Sequence, residues 1–161
     1  AVKVEYVSVK TPLPYTLAIN WSTSLPHSDA ECNIDLKTKM AATTANVGET
    51  VRLTATITNK KSEEVPSTMA IIGVPAGFSI QPWQLKEMQE KGVFDYYEIK
   101  GNNLAVYYRG MAAKAVKEIN LDLKAEMPGE YDAPASTAYL YYTNEFKTWA
   151  GLSKITIKKA S

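Results

Sequence analysis

The sequence predicts an all-β fold, an antiparallel β-sandwich with one short inserted α-helix. Three observations carry this. Apolar and polar residues alternate with period two in many short runs. Turn residues separate those runs at the spacing of a sandwich. One stretch alone, about residues 82–91, carries helix punctuation instead.

Early in the chain, Val2, Val4 and Tyr6 alternate with Lys3 and Glu5, and Thr16 to Trp21 alternates again around Leu17 and Ile19. Val51, Leu53, Ala55 and Ile57 alternate with Arg52, Thr54, Thr56 and Thr58, the pattern of a half-buried strand. Asn46 to Glu49 reads as the turn before it. Met69-Ala70-Ile71-Ile72 is apolar throughout and lies between Pro66 and Pro75, which predicts a buried strand. Tyr97 to Ile99 and Leu104 to Tyr108 flank Lys100-Gly101-Asn102-Asn103, a hairpin turn in which Gly and Asn tolerate positive φ. Val116 to Ala125 places Ile119, Leu121 and Leu123 on one face; Ala138 to Tyr142 and Lys154 to Lys158 close the series. Leu53, Ile57, Ile71, Leu121 and Leu123 are expected between the sheets.

The helix is predicted from Pro82 at its first position and Gly92 just past its end. Leu85 and Met88 share a face at i,i+3, and with Trp83 they are expected to pack on a sheet, because so short a helix is marginal alone. Lys86 with Glu90, and Glu87 with Lys91, form i,i+4 pairs on the wet side. Lys86, Glu87 and Glu90 are therefore the candidate partner-contact face.

Composition excludes several functions. The chain has 161 residues, 45% of them hydrophobic and 22% charged, which is globular and not disordered. Its net charge of +1, with neither half basic, argues against a nucleic-acid partner. No apolar run approaches the roughly 20 residues of a membrane span. The single Cys and single His leave Cys32 and His27 as the one conceivable Cys/His pair and rule out an intrachain disulfide or a Cys-rich zinc site. No enzyme, no cofactor, no metal and no small-molecule substrate is expected, and the fragment is expected to be monomeric.

A boundary falls in the polar, Pro-bearing stretch Ser24 to Glu31, which divides residues 1–28 from a main domain over 29–161. Residues 1–25 would make only a pair of strands, too little to stand alone, so they read as the tail of another domain. His27, Asp29, Glu31 and Cys32 lie close in sequence, but a solvated linker accounts for them. Asp95 and Glu98 flank a tyrosine pair and read as surface carboxylates in preference to a glycosidase pair. Asn20-Trp21-Ser22 fits a glycosylation sequon and reads as a chance triplet. Among ten tyrosines, Tyr96-Tyr97, Tyr107-Tyr108 and Tyr141-Tyr142 are adjacent, so each pair is expected to place one ring in the core and one outside.

Several stretches together resemble the C-terminal end of the α2-macroglobulin family. They are Val47 to Val51, Met69 to Phe78, the helix, Tyr97 to Gly101, and Ala138-Tyr139-Leu140-Tyr141-Tyr142-Thr143-Asn144-Glu145. The resemblance runs from about Cys32 to the end and is to the final macroglobulin-like domain, called the receptor-binding domain in animal members. Pro12 to Ile19 resembles the closing strands of the CUB-like domain that precedes it. The wording is closer to bacterial members.

The resemblance implies a macroglobulin/immunoglobulin-like sandwich and a non-catalytic module of a bacterial protease trap. Family members collapse around a protease that cuts a bait region, and a thioester can bind it covalently. The module would pack on the thioester-containing region and move on activation. Its partners would be other domains of the parent chain and, through the parent, target proteases. A periplasmic, cell-envelope or otherwise secreted location is implied. The thioester motif is of the Cys-Gly-Glu-Gln type in another domain, whereas Cys32 stands in Glu-Cys-Asn-Ile. In animal members two helix lysines contact a clearance receptor; Lys86 matches the second and Pro82 occupies the first. The alternative is a stand-alone adhesion or carbohydrate-binding sandwich using outward tyrosines.

Overall fold

The computed structural model describes residues 3, 5, 10, 11, 14–152 and 154–159. Two antiparallel sheets form the sandwich. The first has the order β1 (Ile34–Met40), β3 (Thr50–Asn59), β8 (Val116–Ala125), β5 (Phe78–Ile80). The second runs β11 (Thr148–Ala150), β10 (Ser136–Leu140), β4 (Val65–Gly73), β7 (Asn103–Met111), β6 (Tyr96–Lys100). A small third sheet, β2 (Thr44–Asn46), β12 (Ile155–Lys158), β9 (Gly129–Tyr131), adds Ala45, Ile155 and Ile157 to the core.

Alternation does the folding work. In β3, Val51, Leu53, Ala55 and Ile57 are buried, and across the ladder Leu53 lies opposite Leu121 and Ala55 opposite Ile119. The second sheet answers with Ala70, Ile72, Leu104, Val106 and Tyr108. Leu53, Ile57, Leu121 and Leu123 lie in this core as expected. Asn59, fully buried, locks one end: its amide reaches the carbonyls of Glu63, Met111 and Ala112, and its Oδ1 accepts the Lys61 N–H. At Gly73 a Cβ would stand 1.9 Å from the Pro134 carbonyl oxygen, so only glycine lets the two backbones approach.

The helix α1 (Pro82–Glu90) stands where the sequence places it. Gly92, at φ +70, donates to the Gln89 carbonyl and Val93 to the Met88 carbonyl, a Schellman stop with Val93 and Met88 both packed on the core. Among the described residues no helix is long and apolar enough to cross a membrane.

Several expectations need correction. Ile71 is half-buried on the outer face of β4, because its neighbours Ala70 and Ile72 take the inner side. Pro66 lies inside β4 instead of bounding it. Strand β10 ends opposite Thr68, so at Pro66 the strand pairs on one side only, an edge position of the kind that admits proline. Trp83 is 65% exposed; Gln84 takes the place beside Leu85 on the buried face. Tyr141 and Tyr142 leave the strand for a 3-10 turn (Tyr141–Thr143), and both rings are exposed. Thr16 to Trp21 joins no sheet, since no strand among the described residues pairs with it. Val2, Val4 and Tyr6, and Pro12 and Leu13 of the CUB-like resemblance, lie outside the described residues.

Candidate functional site

The helix face comes first. Lys86, Glu87 and Glu90 are all exposed, with Lys86 Nζ 3.9 Å from Glu90 and Lys91 Nζ 2.5 Å from Glu87. These pairs are solvated and contribute little. What fixes the helix is Gln84. Its Nε2 donates to the Asp122 carbonyl at 2.9 Å, and its Oε1 accepts the Asp122 N–H at 2.9 Å. Strand β5 pairs with β8 only as far as Ile80 opposite Leu123. The Gln84 amide therefore supplies the next rung of that ladder from a helix. On its other flank Asp122 forms a two-pronged pair with Arg52, Nε to Oδ1 at 2.7 Å and Nη2 to Oδ2 at 2.8 Å. That pair holds the Asp122 carboxyl below its ordinary value of 3.8 and raises the Arg52 guanidinium. The sequence hid Gln84, because a glutamine among charged residues reads as surface.

The second candidate is the outer face of the five-stranded sheet. The registers line its side chains into two rows across the strands. One row is Trp149, Thr137, Ile71, Ala105, Glu98; the other is Tyr139, Met69, Tyr107, Tyr96. Small Thr137 and Ala105 floor a groove of about 360 Å³ walled by Met69, Ile71, Tyr107 and Trp149. The Tyr96 and Tyr107 rings lie 5.7 Å apart, the Tyr139 hydroxyl is 3.1 Å from Met69 Sδ, and Lys147 Nζ stands 5.0 Å from the centre of the Tyr139 ring. Burial raises the Tyr107 phenol, helped by Glu98 and Tyr96, and raises Tyr139, helped by Tyr107 and Tyr141. Sequence reading found the tyrosines and missed Met69, Ile71 and Trp149. The unbroken apolarity of Met69 to Ile72 was the available signal, since it marks a strand apolar on both faces.

The remaining candidates do not converge. Cys32 is buried, its thiol pushed up by that burial, with Sγ 3.8 Å from the Ala138 carbonyl oxygen. Asp29 spends its carboxylate on the Glu31 N–H at 2.8 Å, and His27 is exposed on the linker. Among the described residues no group of three His, Cys, Asp or Glu side chains is placed to hold a metal. Asp95 accepts the Arg109 N–H, whereas Glu98 stands on the outer face of β6.

With this geometry in view, the comparisons are specific. The family model described as "Bacterial Alpha-2-macroglobulin MG10 domain" matches residues 25–145. The chain belongs to this family. No curated protein matches it. Among solved structures, trypsin-activated alpha-2-macroglobulin from Escherichia coli superposes with a TM-score of 0.65 at 11% identity, over 81% of this chain and 11% of that one. Salmonella alpha-2-macroglobulin reacted with methylamine gives 0.64 at 13% identity, over 85% and 10%. The native Escherichia coli protein from domain MG7 to the C-terminus gives 0.60 at 11% identity, over 81% and 24%. At these identities the likeness is one of fold. The present MG10-family chain spans about a tenth of the full-length proteins.

Proposed function

We propose that this MG10-family domain is a non-catalytic docking module of a bacterial alpha-2-macroglobulin-like protease trap. It packs against the thioester-containing region of the parent and moves with it on activation, in the periplasm or cell envelope. Residues 1–28 are the closing strands and linker of a preceding CUB-like domain. The observation that supports this reading is the outer face of the five-stranded sheet: two rows of aromatic and aliphatic side chains on a domain whose opposite outer face is polar. Such a patch is the mark of an interaction surface. Cys32 is buried with its thiol raised by that burial, which makes it a weak nucleophile, and His27 is exposed on the linker.

The test is a parent chain lacking residues 29–161, incubated with a protease and then with a protein substrate. The truncated parent is expected to lose both its compaction on cleavage and its protection of the substrate. Trapping at the level of the intact parent would overturn the reading.

A further inference from the structure

We infer that the outer face of the five-stranded sheet seats the preceding domain, the one that takes residues 16–21 as its closing strand. This rests on the reading above that residues 1–28 close another sheet. Leu17, Ile19 and Trp21 alternate with Ala18 and Asn20, lie 53%, 56% and 77% exposed, and join no sheet among the described residues. A run with three large apolar residues on one side is half of a sheet contact whose other half lies elsewhere.

The tether decides where that other half sits. Trp149 N–H donates to Ser28 Oγ at 2.8 Å, and Asp29 N–H donates to the Lys147 carbonyl at 2.8 Å. Leu25 packs its methyl groups over Gly151. Residues 25–29 are thus fastened along β11, the edge of the aromatic sheet. Leu25 follows Trp21 by four positions, a reach of at most about 14 Å. The five-stranded sheet is roughly 19 Å wide. The preceding domain therefore stands against the β11 edge.

Two surfaces flank that edge. On one side β1 presents Asp35, Lys37 and Lys39, with Lys37 and Lys39 exposed. Covering them would strip water from ammonium groups. On the other side Trp149 opens the row that continues through Thr137, Ile71 and Ala105. Apolar burial selects this side. Charges ring the patch, with Glu98 and Lys100 at one rim and Lys147 at the other, as a polar rim surrounds an apolar contact.

Hydroxyl-radical footprinting of the 161-residue chain against the full parent chain tests this. Met69, Tyr107, Tyr139 and Trp149 are expected to lose most of their oxidation in the parent, while Met127, outside the face, keeps its own. A photo-crosslinking p-benzoylphenylalanine in place of the exposed Glu98 is expected to capture a peptide of the domain completed by residues 16–21. Unchanged oxidation across the two rows overturns the inference, and so does capture of any other domain; capture of the thioester-containing region overturns it while leaving the proposed docking function in place. Amide exchange separates it from the reading beneath it. Slow exchange at Leu17 to Trp21 with exposed rows removes the docking and leaves the closing strand. Fast exchange there removes both.

Discussion

The two outer faces of the sandwich share a chain, a strand geometry and a common core, yet they answer water in opposite ways. On the four-stranded sheet the outward residues of β3 and β8 pair across the ladder as Arg52 with Asp122 and Thr54 with Asn120, the latter hydroxyl to amide at 2.7 Å. Their hydrogen-bonding needs are met locally, and solvent takes the rest. On the five-stranded sheet the same positions carry Met69, Ile71, Tyr107, Tyr139 and Trp149, all half-buried, with Tyr96 beside Tyr107 and Lys147 over Tyr139. The first face is finished in the isolated domain; the second, on the proposed reading, is finished by contact. A sandwich with both outer faces open to water alternates on both sheets, so the failure of alternation at Met69 to Ile72 is the sequence feature on which the proposed docking role rests.

The largest effects should come from the inner faces, which are alike in the two sheets. Leu121→Ala and Ile72→Ala remove fully buried side chains from opposite sheets, and each should cost about 2–5 kcal/mol in denaturant melts. Ile71→Ala, one residue from Ile72 but on the outer face, should cost clearly less in the isolated chain. Equal costs at 71 and 72 would break the distinction between inner and outer faces. Next comes the Gln84 clamp. Gln84→Ala strands the Asp122 N–H and carbonyl beside a helix that no longer reaches them, a loss of about 1–3 kcal/mol. Trp83→Ala, next to it and 65% exposed, is the control that should barely register.

The legible parts of this molecule were those set by local periodicity. Strands β3 and β8, the β6–β7 turn around Gly101, and the helix from Pro82 to its stop at Gly92 follow from patterns within ten residues. The three-residue strands β2, β5, β9 and β11 did not show, because two or three residues cannot display a period and their pairing is decided by distant chain. Thr16 to Trp21 shows the converse: a true strand pattern without a sheet, since pattern states what a segment can do and not which chain it does it with. The candidate site was half visible. The tyrosines stood out by composition, whereas Trp149 reaches the face only because β11 pairs with β10, and the Gln84 contact joins residues 38 apart.

The two faces should also titrate at opposite ends of the pH scale. Asp122 is held below 3.8 by the Arg52 hydrogen bonds, so the folded chain resists a proton that the unfolded chain accepts. That stability is present above about pH 3.8 and is lost as pH falls through the lower folded value. Tyr107 and Tyr139 are raised above 10.0, both first by burial, then Tyr107 by Glu98 and neighbouring tyrosines and Tyr139 by Tyr107 and Tyr141. Their stability is present below pH 10.0 and is lost as pH rises through the folded values. Denaturant midpoints measured across pH should show Asp122→Asn flattening the acid limb alone, and Tyr107→Phe with Tyr139→Phe flattening the alkaline limb. Buried Tyr108, also raised by burial, leaves a residual alkaline slope. A single variant that moved both limbs would show that the faces are coupled through the core.

The smallest effect is expected on the helix, where exposure and function part company. Lys86 and Glu87 stand on the wet side, each in an i,i+4 pair whose members are more than half exposed. Exposed pairs of this kind are screened and hold two long side chains at an entropic cost. Lys86→Ala and Glu87→Ala should therefore leave the isolated chain within about half a kcal/mol of the parent sequence in thermal or denaturant melts. Any larger loss would mean that the helix is held by its charges and not by Leu85 and Gln84. The full-length parent gives the sharper reading. If the helix face is a contact surface, the same two changes slow or speed the protease-triggered compaction while the melts stay put. If compaction is unmoved, the contact function belongs to the aromatic face alone, and the helix serves only to carry Gln84 to the edge of β8.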